Sequence, residues 1–316
     1  MHNTTEVQQR LEQAAAEIAK VFIGDSRPVQ LLLAGLISGL AVLIEDIPGV
    51  GKTSLARALA AACGLDFGRI QFTPDLLPGD IVGMTIWSQE ARQFVYRPGA
   101  IMRQFILADE INRASARTQS ALLEAMQENS VSVDGTTHPL PKPFFLIATQ
   151  NPSTHAGTFL LPEAQLDRFG LGFSIGYPNP EHELRIGELV HQADPFEAIR
   201  RVLSASDIET LRDRVRAITV DPKVRTYVVQ LTGATRHCDA FRAGVSPRAG
   251  QHLLRAGQAM ACLRGRDYVM PEDIRDLCGP VFSHRLQASP EARLQGKSVA
   301  GQLSSLLSQI RLPSGL

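Results

Sequence analysis

Asp46-Ile47-Pro48-Gly49-Val50-Gly51-Lys52-Thr53 is a glycine-bearing turn that closes on a lysine and a hydroxyl. It follows the apolar run 41–45 and opens a helical pattern at Ser54. In that context the turn reads as a phosphate-binding loop. Backbone N–H groups of the turn and helix start point at an anion, and Lys52 adds charge to the β and γ oxygens of a nucleoside triphosphate. Thr53 would offer its hydroxyl to Mg2+. The usual pattern, G-x-x-x-x-G-K-[ST], begins with glycine, and here Asp46 stands in that place. Aspartate tolerates unusual backbone angles better than most residues, so the loop is still expected to form.

Phe105-Ile106-Leu107-Ala108-Asp109-Glu110 is an apolar strand that ends in two carboxylates, which an interior strand would not bury without a cationic partner. Asp109 is expected to complete the magnesium site and Glu110 to orient and polarise an attacking water. A further apolar run ends at Thr149-Gln150-Asn151-Pro152. Asn151 can hydrogen-bond a γ-phosphate or the water if its strand lies beside the one bearing Glu110. Asn-Pro as a plain turn initiator is the alternative.

These residues need elements to hold them. From 21 to 177 short apolar runs alternate with helical patterns, as in a parallel sheet covered by helices. The strand candidates are 41–45, 69–72, 104–108, 144–149 and 171–175. Two hairpins interrupt them, at 85–96 and at 130–139, the second carrying the turn pair Asp134-Gly135. After Gly176-Tyr177-Pro178-Asn179-Pro180 the strand signals stop. Helical periodicity then covers 181–191, 206–218, 222–238, 247–263 and 271–286. The chain is therefore expected to divide into an α/β unit, 1–178, and an all-α unit, 179–316.

Composition narrows the function. Hydrophobic residues make up 44% and charged residues 20%, which excludes a mostly disordered chain. Lys plus Arg and Asp plus Glu are equal at 32 each, so no global positive field favours nucleic acid or an acidic membrane surface. Cys63, Cys238, Cys262 and Cys278 lack C-x-x-C spacing and the histidines form no HExxH, so neither zinc nor a disulfide framework is implied. The start of the chain has no apolar signal-peptide core, and the apolar stretch 31–44 is too short to span a bilayer. A cytoplasmic location is expected.

Longer runs resemble the MoxR family of AAA+ ATPases. They are Arg69-Ile70-Gln71-Phe72-Thr73-Pro74-Asp75-Leu76-Leu77-Pro78, Leu107-Ala108-Asp109-Glu110-Ile111-Asn112-Arg113-Ala114 and Gln119-Ser120-Ala121-Leu122-Leu123-Glu124-Ala125-Met126-Gln127-Glu128. Ala148-Thr149-Gln150-Asn151-Pro152, Leu161-Pro162-Glu163-Ala164-Gln165-Leu166-Asp167-Arg168-Phe169 and Ser246-Pro247-Arg248-Ala249 continue them. The resemblance implies a three-layer P-loop ATPase domain with a five-stranded parallel sheet, an all-α lid and a ring, usually hexameric, with ATP or ADP lying between subunits. In it Glu110 resembles the Walker B base, Asn151 sensor 1, Arg168 the arginine finger and Arg248 sensor 2. Residues 21–24, with Ile23, resemble the segment that covers the adenine. Asn112 and Arg113 could report to the next subunit, with Asn112 as a helix cap the plainer alternative. Trp87 and Phe94, on the first hairpin, are candidates for contact with a client. Arg97-Pro98-Gly99 departs from the family's Gly-Pro order, so that turn is expected to differ.

The implied function is a chaperone-like remodeller that couples MgATP hydrolysis to work on a partner protein, typically with a von Willebrand factor A domain protein. A magnesium-chelatase-like or nucleic-acid-remodelling motor, and a nucleotide-gated scaffold with little turnover, are the competing readings.

Overall fold

The computed structural model describes residues 4–151, 159–189 and 194–313. Pro152 and the ends of the expected 181–191 helix and of the apolar tail 304–316 lie outside them. The strands are β1 (Val42–Glu45), β2 (Phe67–Gln71), β3 (Gly83–Ser88), β4 (Gln93–Pro98), β5 (Phe105–Asp109), β6 (Ser130–Val133), β7 (Thr136–Pro139), β8 (Phe145–Gln150) and β9 (Leu171–Phe173). Five of them form a parallel sheet in the order β2-β5-β8-β1-β9. Strand β8 thus lies between the strand that enters the glycine-bearing turn 46–53 and the strand that ends in Asp109.

Side chains alternate between two apolar clusters, because successive residues of a strand face opposite sides. Val42, Ile44, Phe105, Leu107, Phe145 and Ile147 enter one cluster. Leu43, Ile106, Ala108, Leu146 and Ala148 enter the other. Burial on both faces explains why these strands read as unbroken apolar runs. Helix α1 (Thr4–Ile18), α2 (Ser26–Ser38) and α3 (Lys52–Ala62) cover the first face, and α4 (Pro78–Val82) and α5 (Ala116–Glu128) the second. The apolar stretch 31–44 runs through the end of α2 into the start of β1, split where Gly39 takes a left-handed C-cap (φ 66°).

Both hairpins form beside the main sheet. β3 pairs with β4 so that Trp87 opposes Phe94, and β6 pairs with β7 around Asp134 and Gly135, both at positive φ. A short helix, α6 (Glu163–Leu166), precedes β9. The rest is helical: α7 (Pro180–Leu189), α8 (Ala205–Ala217), α9 (Pro222–Arg236), α10 (Pro247–Leu263), α11 (Pro271–Phe282), α12 (Pro290–Leu294) and α13 (Val299–Gln309). Proline at the first helical position and Asp221 or Ser246 as N-cap set where α9 and α10 begin. Leu211, Val215 and Leu253 from these helices share one apolar cluster with Leu32 and Leu36 of α2. No helix among the described residues is long and apolar enough to cross a membrane.

Candidate nucleotide site

The loop after β1 turns on Gly49 and Gly51, both at φ 86°, a conformation that costs a side-chain-bearing residue strain. Asp46 is absent from the positive-φ residues, so backbone tolerance is not what an aspartate contributes here. The residue is 6% exposed. Oδ2 accepts from Ser174 Oγ (2.8 Å), Ile175 N (2.6 Å) and Gly176 N (2.7 Å), and Oδ1 accepts from Ile47 N (2.8 Å). Asp46 therefore ties the start of the loop to the chain leaving β9. Burial opposes its charge, yet the donors from Gly176, Ser174, Ile47 and Ile175 outweigh burial and hold the carboxyl below the usual range.

Lys52 opens α3 and donates to the Asp46 carbonyl at 2.6 Å. Burial lowers its ammonium below the ordinary lysine value, while Asp46, Asp109 and Glu110 pull the other way. Those opposing charges place Lys52 in the field of the carboxylates at the end of β5. Asp109 is 7% exposed. Its Oδ2 accepts from Arg69 Nη2 (2.7 Å) and Nε (3.1 Å), and Oδ1 accepts from Thr149 Oγ1 (2.6 Å). Arg69 is the cation that its burial required. Glu110 sits in the left-handed region (φ 56°, ψ 49°) and accepts on Oε2 from Gln71 Nε2 and Arg113 Nη1, each at 3.0 Å. No bond to its Oε1 occurs among the described residues, so that oxygen can take a water's proton.

The condition set for Asn151 is met, since β8 pairs with β5 up to Ala108 opposite Ala148. Asn112 corrects both of its expectations. It is 2% exposed and so cannot meet another subunit, and α5 is capped by Ser115, which accepts from Thr118 N. The Asn112 amide instead donates to the Asn151 carbonyl at 3.0 Å. Arg113 is occupied by Glu110.

A cavity of about 460 Å3, within the range for small-molecule sites, opens beside the loop. Phe22, Ile23, Val50, Gly51, Ser54, Tyr177 and His182 help line it, with Pro48 exposed at the turn. Phe22 lies close enough to Gly51 that an added Cβ there would meet its ring at 3.7 Å. The apolar walls suit a flat base, and the loop's N–H groups suit phosphates. Among the described residues no group of three or more His, Cys, Asp or Glu could hold a metal. Thr53 and Asp109 are hard oxygen donors of the number Mg2+ takes from protein when phosphates and waters fill the rest.

Arg168 and Arg248 lie elsewhere. With His252, Arg255 and Asn129 they line a second cavity of about 230 Å3, beside Gly39–Ala41 and Phe144–Leu146 at the amino ends of β1 and β8. Arg168 makes no ion pair among the described residues. Asp167, its neighbour, anchors the wall: Oδ1 accepts from Ser246 Oγ (2.8 Å) and Arg285 Nε (3.0 Å), and Oδ2 lies 3.9 Å from Arg248 Nη1. Arg285, 3% exposed, also donates to His252 Nδ1 at 2.8 Å. Burial lowers Arg285 to about 10 despite Asp167. Burial, with Arg285 and Arg255, lowers His252 to about 3, so it is neutral.

Arg69, Gln71 and Thr149 were not singled out by type. Polar residues at 69 and 71, two apart and hence on one face of an apolar strand, were the available signal.

Residues 41–171 match the family described as "ATPase family associated with various cellular activities (AAA)", and 233–304 match the AAA lid domain. Chaperone MoxR1 of Mycobacterium tuberculosis is 40% identical over 96% of this chain and 82% of its own length. Protein MoxR of Paracoccus denitrificans is 33% identical over 91% of each. A crystal structure of a candidate ATPase from Cytophaga hutchinsonii is 36% identical and superposes with a TM-score of 0.91 over 98% of this chain and 97% of that one.

Proposed function

Because the chain belongs to the MoxR family of AAA+ ATPases, we propose that it binds MgATP at the loop 46–53 and hydrolyses it at a site shared between subunits of a ring, usually hexameric in this family. The α/β unit 1–178 holds the nucleotide and the helical unit 179–316 acts as its lid. Lys52 neutralises the β and γ oxygens and Ile23 covers the base. Thr53 and Asp109 hold Mg2+, which when bound screens the phosphate charge. Glu110 takes the proton of the attacking water through Oε1, and Asn151 orients the γ-phosphate or that water. Arg168, and Arg248 beside it, reach the γ-phosphate of the neighbouring subunit and stabilise transition-state charge.

The convergence of Lys52, Asp109 and Glu110 at the carboxyl ends of β1 and β5, on either side of β8, carries this reading. Phosphoryl transfer depends on positioning and charge, and open α/β sheets bind ligands at that edge. M. tuberculosis MoxR1 is named a chaperone, which supports a remodelling role on a protein client. A von Willebrand factor A domain protein as partner rests on family resemblance alone.

The test is MgATP turnover per subunit across a wide range of protein concentration, with Glu110→Gln as control. Specific activity that rises with concentration, and an inactive control that still binds ATP, are expected. Full turnover by Glu110→Gln removes Glu110 as the base, and no turnover by the wild type favours a nucleotide-gated scaffold.

A further inference from the structure

Resting on that reading, we propose that Thr149 is a positioning residue for the catalytic pair: its hydroxyl sets the orientation of Asp109 and the backbone of Glu110 at once. Thr149 follows Ala148, whose partner across the sheet is Ala108, so it stands level with Asp109 on the neighbouring strand. It is fully buried. The hydroxyl has one proton and two lone pairs. The proton goes to Asp109 Oδ1 at 2.6 Å, and a lone pair receives the Glu110 N–H at 2.8 Å.

Each bond has a separate consequence. The first, with Arg69 on the other oxygen, fixes the plane of the Asp109 carboxylate. That plane decides which oxygen can turn toward a cation beside the phosphates. The second satisfies the N–H of a residue that carries a side chain in the left-handed region, a conformation that persists only where its surroundings over-determine it. Held there, the Glu110 side chain leaves the strand toward Gln71 and Arg113 rather than continuing its alternation. Asn112 adds a second tie between the same elements through the Asn151 carbonyl. The end of β8 and the end of β5 are thereby tied at two levels.

Thr149→Val keeps the shape and removes the hydroxyl, while Thr149→Ser keeps the hydroxyl. A displacement of about 1 Å at a reacting group can cost about 100-fold, so kcat of Thr149→Val is expected to fall about 10- to 100-fold. Binding of metal-free ATP, which relies on the loop, is expected to stay within about 2-fold, and the Mg2+ concentration for half-maximal nucleotide binding to rise several-fold. Thr149→Ser is expected to recover most of kcat. A merely structural threonine would lower the melting temperature without this split between kcat, Mg2+ requirement and metal-free binding. If the valine chain does not fold, Thr149→Cys, a weaker donor, is expected to turn over more slowly than Thr149→Ser, and equal kcat for the two overturns the proposal. Wild-type kcat and Mg2+ dependence in Thr149→Val overturn it alone, whereas a wild type that neither binds nor hydrolyses MgATP overturns it together with the function it rests on.

Discussion

At the carboxyl ends of the strands Lys52 lies among Asp46, Asp109 and Glu110, and the nearby guanidiniums are spent: Arg69 on Asp109 and Arg113 on Glu110. At the amino ends Arg168, Arg248, His252 and Arg255 line a cavity with no carboxylate among its lining residues. One end can hold phosphates, metal and water but has little positive charge to spare for a transition state. At the other, Arg248 lies 3.9 Å from Asp167, while Arg168 makes no ion pair among the described residues. Two such ends are complementary when the face of one copy meets the opposite face of the next, which is how a ring would complete each site.

Arg168→Ala tests that complementarity most severely. An arginine finger contributes at least about 1,000-fold to turnover, so the variant should bind ATP normally yet hydrolyse it about 1,000-fold more slowly. Mixing it with Glu110→Gln should return partial activity, because some interfaces then join an intact base to an intact arginine. Turnover that stays absent in rings shown by mass to be mixed would break the comparison. Lys52→Ala acts at the other end and should weaken ATP binding about 10- to 100-fold, the value of a charge-assisted bond, without rescue by mixing. Unchanged affinity by calorimetry would remove the loop as the phosphate site.

Acid should loosen the amino end before the carboxyl end. His252 binds its proton at about 3 in the fold against 6.5 when free. Between those values the unfolded chain carries the extra proton, so stability rises with pH and is lost as pH falls below 6.5, at up to about 1.4 kcal/mol per unit. His284, also lowered by burial, has the same sign. Asp46 is lowered too, but the loss of its contribution begins only where the unfolded carboxylate takes up its proton, near 3.8, and runs down to its depressed folded value. Denaturant melts from pH 7 to 5 should therefore decline, and His252→Gln should flatten that decline. An identical slope in the variant would locate the sensitivity elsewhere.

Much of this was legible from residue order because the signals are local. A buried parallel strand must be apolar on both faces, so β1, β5 and β8 announce themselves within a residue of their ends. Proline and a capping side chain announce α9 and α10 in the same way. Helix α1 went unnamed although Val7, Leu11, Ala14 and Ile18 repeat at helical spacing, because alanine and glutamine fill the rest and dilute the pattern. The role of Asp46 was missed for a different reason: its partners are Ser174, Ile175 and Gly176, far along the chain.

Sequence by itself determined the α/β and helical character, the glycine-bearing turn 46–53, the carboxylates Asp109 and Glu110 that close β5, and the family. Each follows from propensity, period or a short motif, which act over a few residues. Only the tertiary structure decided that β8 lies between β1 and β5, that Arg69 and Thr149 hold Asp109, that Asn112 is buried against Asn151, and that Arg168 and Arg248 face a cavity at the far end of the sheet. Those facts depend on which distant segments pair. A hydrogen bond between residues forty positions apart leaves no periodicity in the chain for a reader to find.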